Sequence, residues 1–469
     1  MRVNNVARGL RQVGFSVAVA ASLVASPSAY SEPLAQPSGV GPLPDLQGAA
    51  KVGALLSKPH VDLYRKVLVP EVADLIKNGD LVVEVALQPR RKDLFAAAKG
   101  GSASLVAIDR VGALQPPPEV VLGPILPDVS DDGQVVDRTQ QAYALLWNAA
   151  IHTWRLKSLS INASLTTFAT SSGDAKRMDF LVQRIYPRAL GISPGTLTPL
   201  FREKISAVQP PVLKGLTWLT LRFHGGDNDY LWAASPITGK VRQLTGSNRA
   251  DSFFSGAFSP DDLWVWSGKI EKVQPTALTS MQLLVPIVES TAMVRVQGDC
   301  SVVEYAKGDG IETNLVTKRY SDAPAWVPST IRMVLRNVFR IDLETRDPFS
   351  VDARQSIYID SETSLPVYKT VRGIDGALNK VVLGVLGSVG SHDGVMPGWR
   401  GEVVFTPPTS GHSVLSVNRI ESCSKLAPER EIKIFDPSAI GAKQKDADSK
   451  STKTPAPKPD PETIEPIDE

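Results

Sequence analysis

The sequence is short of the residues that carry most recognisable chemistry. Two cysteines and five histidines are spread over 469 residues. The histidines (His60, His152, His224, His392 and His412) are nowhere spaced as a zinc ligand set. Neither Cys300 nor Cys423 has a His, Cys or acidic cluster at ligand spacing, so no metal site is expected. There is no Gly-x-Ser-x-Gly elbow, no phosphate-binding glycine loop and no dinucleotide fingerprint, so neither a cofactor nor an enzymatic activity is expected. An excess of one charge is also missing. The net charge is +2, and it stays near zero once the two ends are set aside. That removes any electrostatic reason to expect a nucleic-acid partner.

Three stretches imitate chemistry. Ser391, His392 and Asp393 stand in a row, but adjacent residues of an extended segment point to opposite faces and form no relay by themselves. Asp261 and Asp262 follow Ser-Pro, where paired carboxylates cap a turn. His224 opens "HGGDND", whose glycines and Asn-Asp suit a hairpin turn better than a metal loop.

The two ends read as processing and solvated segments. Residues 1–31 have Arg2, Arg8 and Arg11, then an apolar run Val13–Ala25, then small residues. This is the layout of a secretory signal peptide cleaved after about Ser31, and the run is too short to span a bilayer. Residues 32–48 are a Pro/Gly-rich linker. Residues 437–469 are Lys, Asp, Glu and Pro with little to bury, and a disordered tail is expected. In an exported chain, an even cysteine count favours a disulfide between Cys300 and Cys423, each at the end of a strand-like run. Such a bridge is worth about 2–4 kcal/mol if unstrained.

The remaining body, 49–436, reads as one domain with a helical N-terminal segment, about 49–155, ahead of a long run of strands. Leu63, Val67, Val72, Leu75 and Ile76 fall at helical spacing around Pro70, and Gly79 is a stop. "PRRKDLFAAAKGG" is a second short helix. Val135, Val136, Tyr143, Leu146, Trp147, Ala150 and Trp154 form one apolar face of the strongest helix. From Leu156 the period turns toward two, through "LKSLSINASLTTFAT", "GLTWLTLRF", "NDYLWAAS", "LWVWSGKIEKV" and their successors. A helical or irregular insert is expected at about 173–209. A β-propeller would repeat its blade at a period of about 40–50 residues, and "SPDD" occurs once. The fold class is mainly β (α+β), built on a single extended antiparallel sheet.

The segment "DYLWAASPITGKVRQLTGSNRADSFFSGAFSPDDL" resembles a stretch of the outer-membrane lipoprotein-sorting superfamily. "QSIYIDSETSLPVYKTVRGIDGALNKV" is similar to a second family hallmark. With "ILPDVSDDGQVVDRTQQAYALLWNAAIHTW", the match runs in order from about Leu46 to Phe435, and it looks nearest to a large periplasmic branch of unknown function. The resemblance implies a LolA/LolB-like fold: a strongly curved antiparallel sheet, an unclosed barrel, with helices plugging or covering its concave face. It also implies a periplasmic, non-catalytic, monomeric protein that binds lipid or another hydrophobic molecule. An RND-type exporter or an outer-membrane protein is the implied partner. The helix ending at Trp154 would be the plug. Trp218, Tyr230, Trp232, Phe253, Phe254, Trp264 and Trp266 are the candidate cavity-lining residues, with the Phe-containing loop after Leu244 at the rim.

Overall fold

From Ser158 onward, β-branched and aromatic residues recur with a period close to two, and strands dominate the structure accordingly. The structure, a computed structural model, describes residues 54–86, 104–115, 117–118, 124–127, 138–154, 158–169, 171–188, 199–226, 228–252, 257–288, 293–296, 301–305, 310–391, 394–406, 411–423 and 432–440. The expected signal peptide, the linker, the helix at 89–101, Phe253, Phe254, His392 and Cys300 lie outside them, as does the tail beyond Ile440.

The N-terminal part supplies β1 (Ala54–Leu56) and β2 (Val83–Ala86), which join the main sheet. It also supplies β3 (Ser104–Ile108), β4 (Leu114–Gln115) and β5 (Ile125–Pro127), a small sheet of their own. A meander follows: β6 (Ser158–Phe168), β7 (Ala175–Ile185), β8 (Phe201–Gln209), β9 (Thr217–Arg222), β10 (Tyr230–Ser235) and β11 (Lys240–Leu244). Each is antiparallel to the one before. After a long loop come β12 (Val273–Ile287), β13 (Met293–Val296) and β14 (Ser301–Tyr305). The second meander is β15 (Arg332–Thr345), β16 (Arg354–Asp360), β17 (Pro366–Arg372), β18 (Leu378–Ser391), β19 (Gly394–Thr406) and β20 (Gly411–Cys423).

β20 returns to pair with β6, which joins the two meanders into one curved sheet bounded by β11 and β12. β12 lies against β15, and its end touches β18 in a single parallel bridge, Ile287 opposite Leu386. Val288 N donates to Leu386 O across that seam at 2.8 Å. A ring forms there without a closed barrel. β14 runs beside the end of β20 with Ser301 opposite Cys423, so the expected partner Cys300 adjoins that pair in sequence.

Each face of the sheet is covered by different chain segments. On the outer face, Val381, Leu383, Val385, Val403 and Phe405 pack against the N-terminal segment and the stretch Ile311–Ile331. The helix Pro70–Asn78 sits there. Pro70 occupies its first turn, where a missing N–H costs nothing, and Gly79 at φ +88° ends it, its N–H returning to Ile76 O at 3.1 Å. Phe435 and Ile440, the latter within the helical turn Pro437–Ile440, cover the outer face near β9 and β10. The inner face carries Leu159, Ile161, Phe180, Val182, Ile205, Val382, Val404 and Leu415. It is covered by the loop between β11 and β12 and by the helix Arg138–Trp154, whose Tyr143, Leu146, Trp147 and Ile151 are buried. Among the described residues no helix is long and apolar enough to cross a membrane.

Three expectations are corrected. The insert expected at 173–209 is largely the two long strands β7 and β8. Their inward positions alternate as a strand should, but they include Arg184 and Glu203, which hide the apolar period. "LWVW" is not a strand. Trp264 and Val265 take positive φ, 64° and 68°, and the regular strand begins at Val273. Burial of this segment between sheet and helix overrides its β propensity. Finally, the loop after Leu244 is no rim feature: Arg249, Phe258, Asp262, Leu263 and Val265 are buried on the inner face.

Candidate functional site

Side chains of the β11–β12 loop and of the helix cover much of the inner face. Between the helix Arg138–Trp154, the β11–β12 loop and strands β6 to β9 lies a cavity of about 90 Å³. That is room for roughly half a dozen water molecules. Its walls are aromatic and aliphatic: Trp147, Ile161, Tyr186, Phe201, Trp264, Trp266 and Trp399 among others. The Trp264 and Trp399 rings stack at 4.7 Å, and Tyr186 meets Phe201 edge-on at 6.0 Å.

The helix is pinned to this place by side-chain hydrogen bonds. Trp147 Nε1 donates to Gly112 O at 2.8 Å, and Tyr143 Oη donates to Val273 O at 3.0 Å. Asn148 accepts from Ile125 N at 2.6 Å and donates to Ile125 O at 3.3 Å. These bonds leave the small residues Ala149 and Ala150 to line the cavity, which is why space remains.

The polar part of the lining is His152, Thr153, Arg184, Arg222, Ser267 and Glu271. Arg184 donates through Nε to Glu203 Oε2 at 2.9 Å and through Nη2 to Ser267 Oγ at 3.1 Å, with Nη2 also on Glu203. Its guanidinium lies over the Phe201 ring, 4.4 Å from the centroid. Arg249 takes the other Glu203 oxygen at 3.0 Å, Thr220 Oγ1 at 2.7 Å and Asp261 Oδ1 at 2.8 Å. Burial alone would raise the Glu203 carboxyl, but the two guanidinium groups outweigh it and hold Glu203 below the ordinary carboxylate value. Arg222 pairs with Asp229 at 2.8 Å and donates to the carbonyls of Ser267 and Gly268, while Lys269 holds the other Asp229 oxygen at 3.2 Å.

A second buried cluster lies under the same loop. The Asp262 carboxylate caps its own turn through Ser259 N and Oγ, both at 2.7 Å. It also meets Lys369 at 2.5 Å and Lys380 at 3.1 Å. Burial opposes its ionisation, but the two ammonium groups prevail and bring it down to about 2. Nearby Glu402 accepts from Val265 N at 3.0 Å and is driven the other way, well above the usual carboxylate range, by burial and by the Asp262 charge.

A polar groove of about 490 Å³ opens on the far side of Trp266. It is lined by Asp229, Ser247, Lys269, Lys272, Arg346 and Asp347, among others, and shares Arg222, Trp266 and Gly268 with the cavity. The Trp266 indole donates to Gln355 Oε1 at 3.0 Å.

Of the residues expected to line a cavity, Trp264 and Trp266 do so. Trp218 packs against the inner-face core without reaching the cavity. Trp232 is on the outer face beside the C-terminal residues, and Tyr230, 45% exposed, stacks on it at 6.0 Å. Tyr230 and Trp232, two apart on β10, share that face. Phe253 and Phe254 are outside the described residues, and Phe258 packs on Phe180 in the core. Sequence reasoning missed Arg184, Glu203, Arg222 and Arg249. The available signal was a charged residue at an inward strand position, informative only when its partner is known.

Among the described residues, His60, His224 and His412 lie apart from one another. His224 faces Glu271 at 3.3 Å, and His60 meets Ser57 on the surface. His412 lies between the rings of Trp326 and Phe405. Among the described residues no group of three or more His, Cys, Asp or Glu is placed to hold a metal ion.

No protein-family model matches the chain, and no curated protein matches it. Solved structures with a similar fold include a proposed outer membrane lipoprotein-sorting protein domain from Vibrio parahaemolyticus. It has a TM-score of 0.42 at 12% identity, covering 63% of this chain and 98% of that one. A DUF1329 family protein from Desulfovibrio piger gives 0.42 at 13% identity, with 65% and 100% covered. A LolA superfamily protein from Nitrosomonas europaea gives 0.38 at 12%, with 64% and 98% covered.

Proposed function

We propose that the chain is a non-catalytic carrier of lipid or another hydrophobic molecule, exported to the periplasm with its leader removed after about Ser31. The observation that carries this reading is the cavity at the inner face, walled by tryptophan, tyrosine, phenylalanine and aliphatic side chains. An apolar segment placed there gains roughly 0.8 kcal/mol per CH₂ withdrawn from water, so retention needs no reactive group. At about 90 Å³ the resting cavity takes only part of a long chain, so loading requires it to widen.

Native mass spectrometry of chain purified without detergent tests the reading, with a bound hydrophobic molecule as the expected result. Ala150→Leu places a larger side chain in the cavity and should expel that molecule while the fold persists. A chain that carries nothing and binds no added apolar probe overturns the proposal.

A second reading, an accessory module of an envelope export complex, is favoured by the tips of two neighbouring hairpins. Phe349 is 82% exposed and Ile374 90%. Arg354 of the first hairpin is paired with Arg372 of the second, which brings the two turns together. Recovery of an RND-type exporter or outer-membrane protein in a pull-down, abolished by Phe349→Ser with Ile374→Ser, is its expected outcome. Recovery unaffected by those changes removes it.

A further inference from the structure

The cavity and the polar groove adjoin through residues common to both linings: Arg222, Trp266 and Gly268. Arg222 is fixed by Asp229 and by two backbone carbonyls. Trp266 has one side-chain hydrogen bond, to Gln355, and is otherwise held by packing beside Trp147, Ile270 and Val273. Its indole rests on Gly268, where a Cβ would fall 2.8 Å from Cε2 and Nε1, a distance no real side chain tolerates. Of the three shared residues, Trp266 is the one whose side chain could open the wall by turning, since Gly268 has none and Arg222 is fixed by an ion pair and two carbonyls. Swinging it off Gly268 would join a space of about 90 Å³ to one of about 490 Å³.

The two spaces differ in chemistry in a way that fixes the orientation of a ligand spanning them. The cavity is mainly apolar; two of its polar residues lie at the wall, Arg222 within it and Ser267 between Trp266 and Gly268, while His152 and Thr153 stand on the helix Arg138–Trp154. The groove is polar and carries surplus positive charge. Its carboxylates are already engaged, Asp229 by Arg222 and Lys269, and Asp261 by Arg249. Asp347 is occupied by Ser247 Oγ at 2.7 Å and Phe349 N at 3.0 Å. Arg346 has its guanidinium on backbone carbonyls, the Tyr143 hydroxyl and the Gln274 amide oxygen, with no carboxylate to neutralise it. Lys272 has no ion-pair partner among the described residues.

Resting on the carrier reading above, we propose that the ligand is a single-chain amphiphile with an anionic head. Its tail enters the cavity past a displaced Trp266, and its head stays in the groove beside Lys272 and Arg346. A neutral or cationic head gains nothing from those two charges, whereas a carboxylate or phosphate does.

The test uses the full chain, freed of bound lipid, with cis-parinaric acid and its methyl ester as probes of equal tail and different head charge. The acid should bind the unaltered chain about tenfold more tightly than the ester. Lys272→Glu should abolish that preference by weakening the acid alone. Gly268→Ala, which pushes the indole off its seat, should speed association of both probes several-fold, with near-ultraviolet circular dichroism confirming the fold. Equal binding of acid and ester to the unaltered chain, or equal loss of both in Lys272→Glu, overturns the head-group assignment while leaving a hydrophobic carrier intact. Unchanged association in Gly268→Ala overturns Trp266 as the divide. Failure of both probes to bind any form overturns the carrier reading itself.

Discussion

Arg249 of the β11–β12 loop places Nη1 3.0 Å from Oε1 of Glu203, a residue 46 positions earlier on the inner face of β8. The contact ties the loop to the floor of the sheet and completes a carboxylate held between two guanidinium groups, since Arg184 takes the other oxygen. All three side chains are essentially withdrawn from water. Removing one member of such a set leaves uncompensated buried charge, which costs about 3–5 kcal/mol. Glu203→Gln is therefore expected to lower the unfolding free energy by about that amount. Urea denaturation at neutral pH measures it, and a loss below about 1 kcal/mol would mean that water reaches the two arginines.

Glu402→Gln makes the same chemical change with the opposite expectation. Burial, reinforced by the charge of Asp262, holds the Glu402 carboxyl protonated well above its ordinary value of 4.5. A group raised in this way stabilises the fold fully below its unfolded value, and that contribution is lost as pH climbs through the folded one. Glutamine mimics the protonated acid, so the variant should stay within about 1 kcal/mol of the parent near pH 4.5 and should gain on it, not lose, as pH rises to 7. Thermal melts at the two pH values decide the matter. A large loss at pH 7 would show Glu402 to be ionised and paired.

The contrast between these two glutamates marks where sequence reasoning reaches its limit. The helix ending at Trp154 was legible because its apolar residues recur every three to four positions, and the β10–β11 and β16–β17 hairpins because their turns carry Thr-Gly and Ser-Glu-Thr signals. β7 and β8 were not legible, since Arg184 and Glu203 stand at inward positions and make an alternating strand look polar. Their role depends on Arg249 and Ser267, which arrive from a distant loop. Leu263–Trp266 failed in the reverse direction. A strand-like composition sits in an irregular buried segment because its neighbours in space, not in sequence, set its backbone. Two of the candidate lining residues, Trp264 and Trp266, were found by aromatic content alone, which cannot say which sheet face a tryptophan occupies.

His412 supplies a pH dependence on the outer face. Its ring lies 4.7 Å from Trp326 and 5.0 Å from Phe405, and neither nitrogen has a hydrogen-bond partner among the described residues. Burial pushes its pKa down from 6.5 to about 4. The folded chain then binds fewer protons than the unfolded one between these values, so stability falls as pH drops through that window. The full effect is of order 3 kcal/mol. His412→Phe keeps the aromatic contacts and removes the titration. Its melting temperature should vary less than the parent's between pH 6.5 and pH 4, and parallel curves for the two proteins would rule out His412 as the source.

Gly384 in β18 gives a direct way to unseat the loop that fills the inner face. A Cβ at this position would lie 2.1 Å from Val265 Cγ2 and 3.1 Å from Pro366 O, so Val265 rests on the bare backbone of the sheet. Val265 N is at the same time bonded to Glu402 of β19, which stands directly opposite Gly384 in the register. Gly384→Ala therefore has to lift Val265, stretch the bond to Glu402 and disturb the neighbouring Trp264 and Trp266 of the cavity wall. Overpacking of this kind costs about 1–3 kcal/mol. The same change should alter the tryptophan near-ultraviolet signal, because two of the cavity tryptophans, Trp264 and Trp266, adjoin the displaced residue. A variant with parental stability and an unchanged near-ultraviolet spectrum would show that the loop does not bear on the sheet at Gly384.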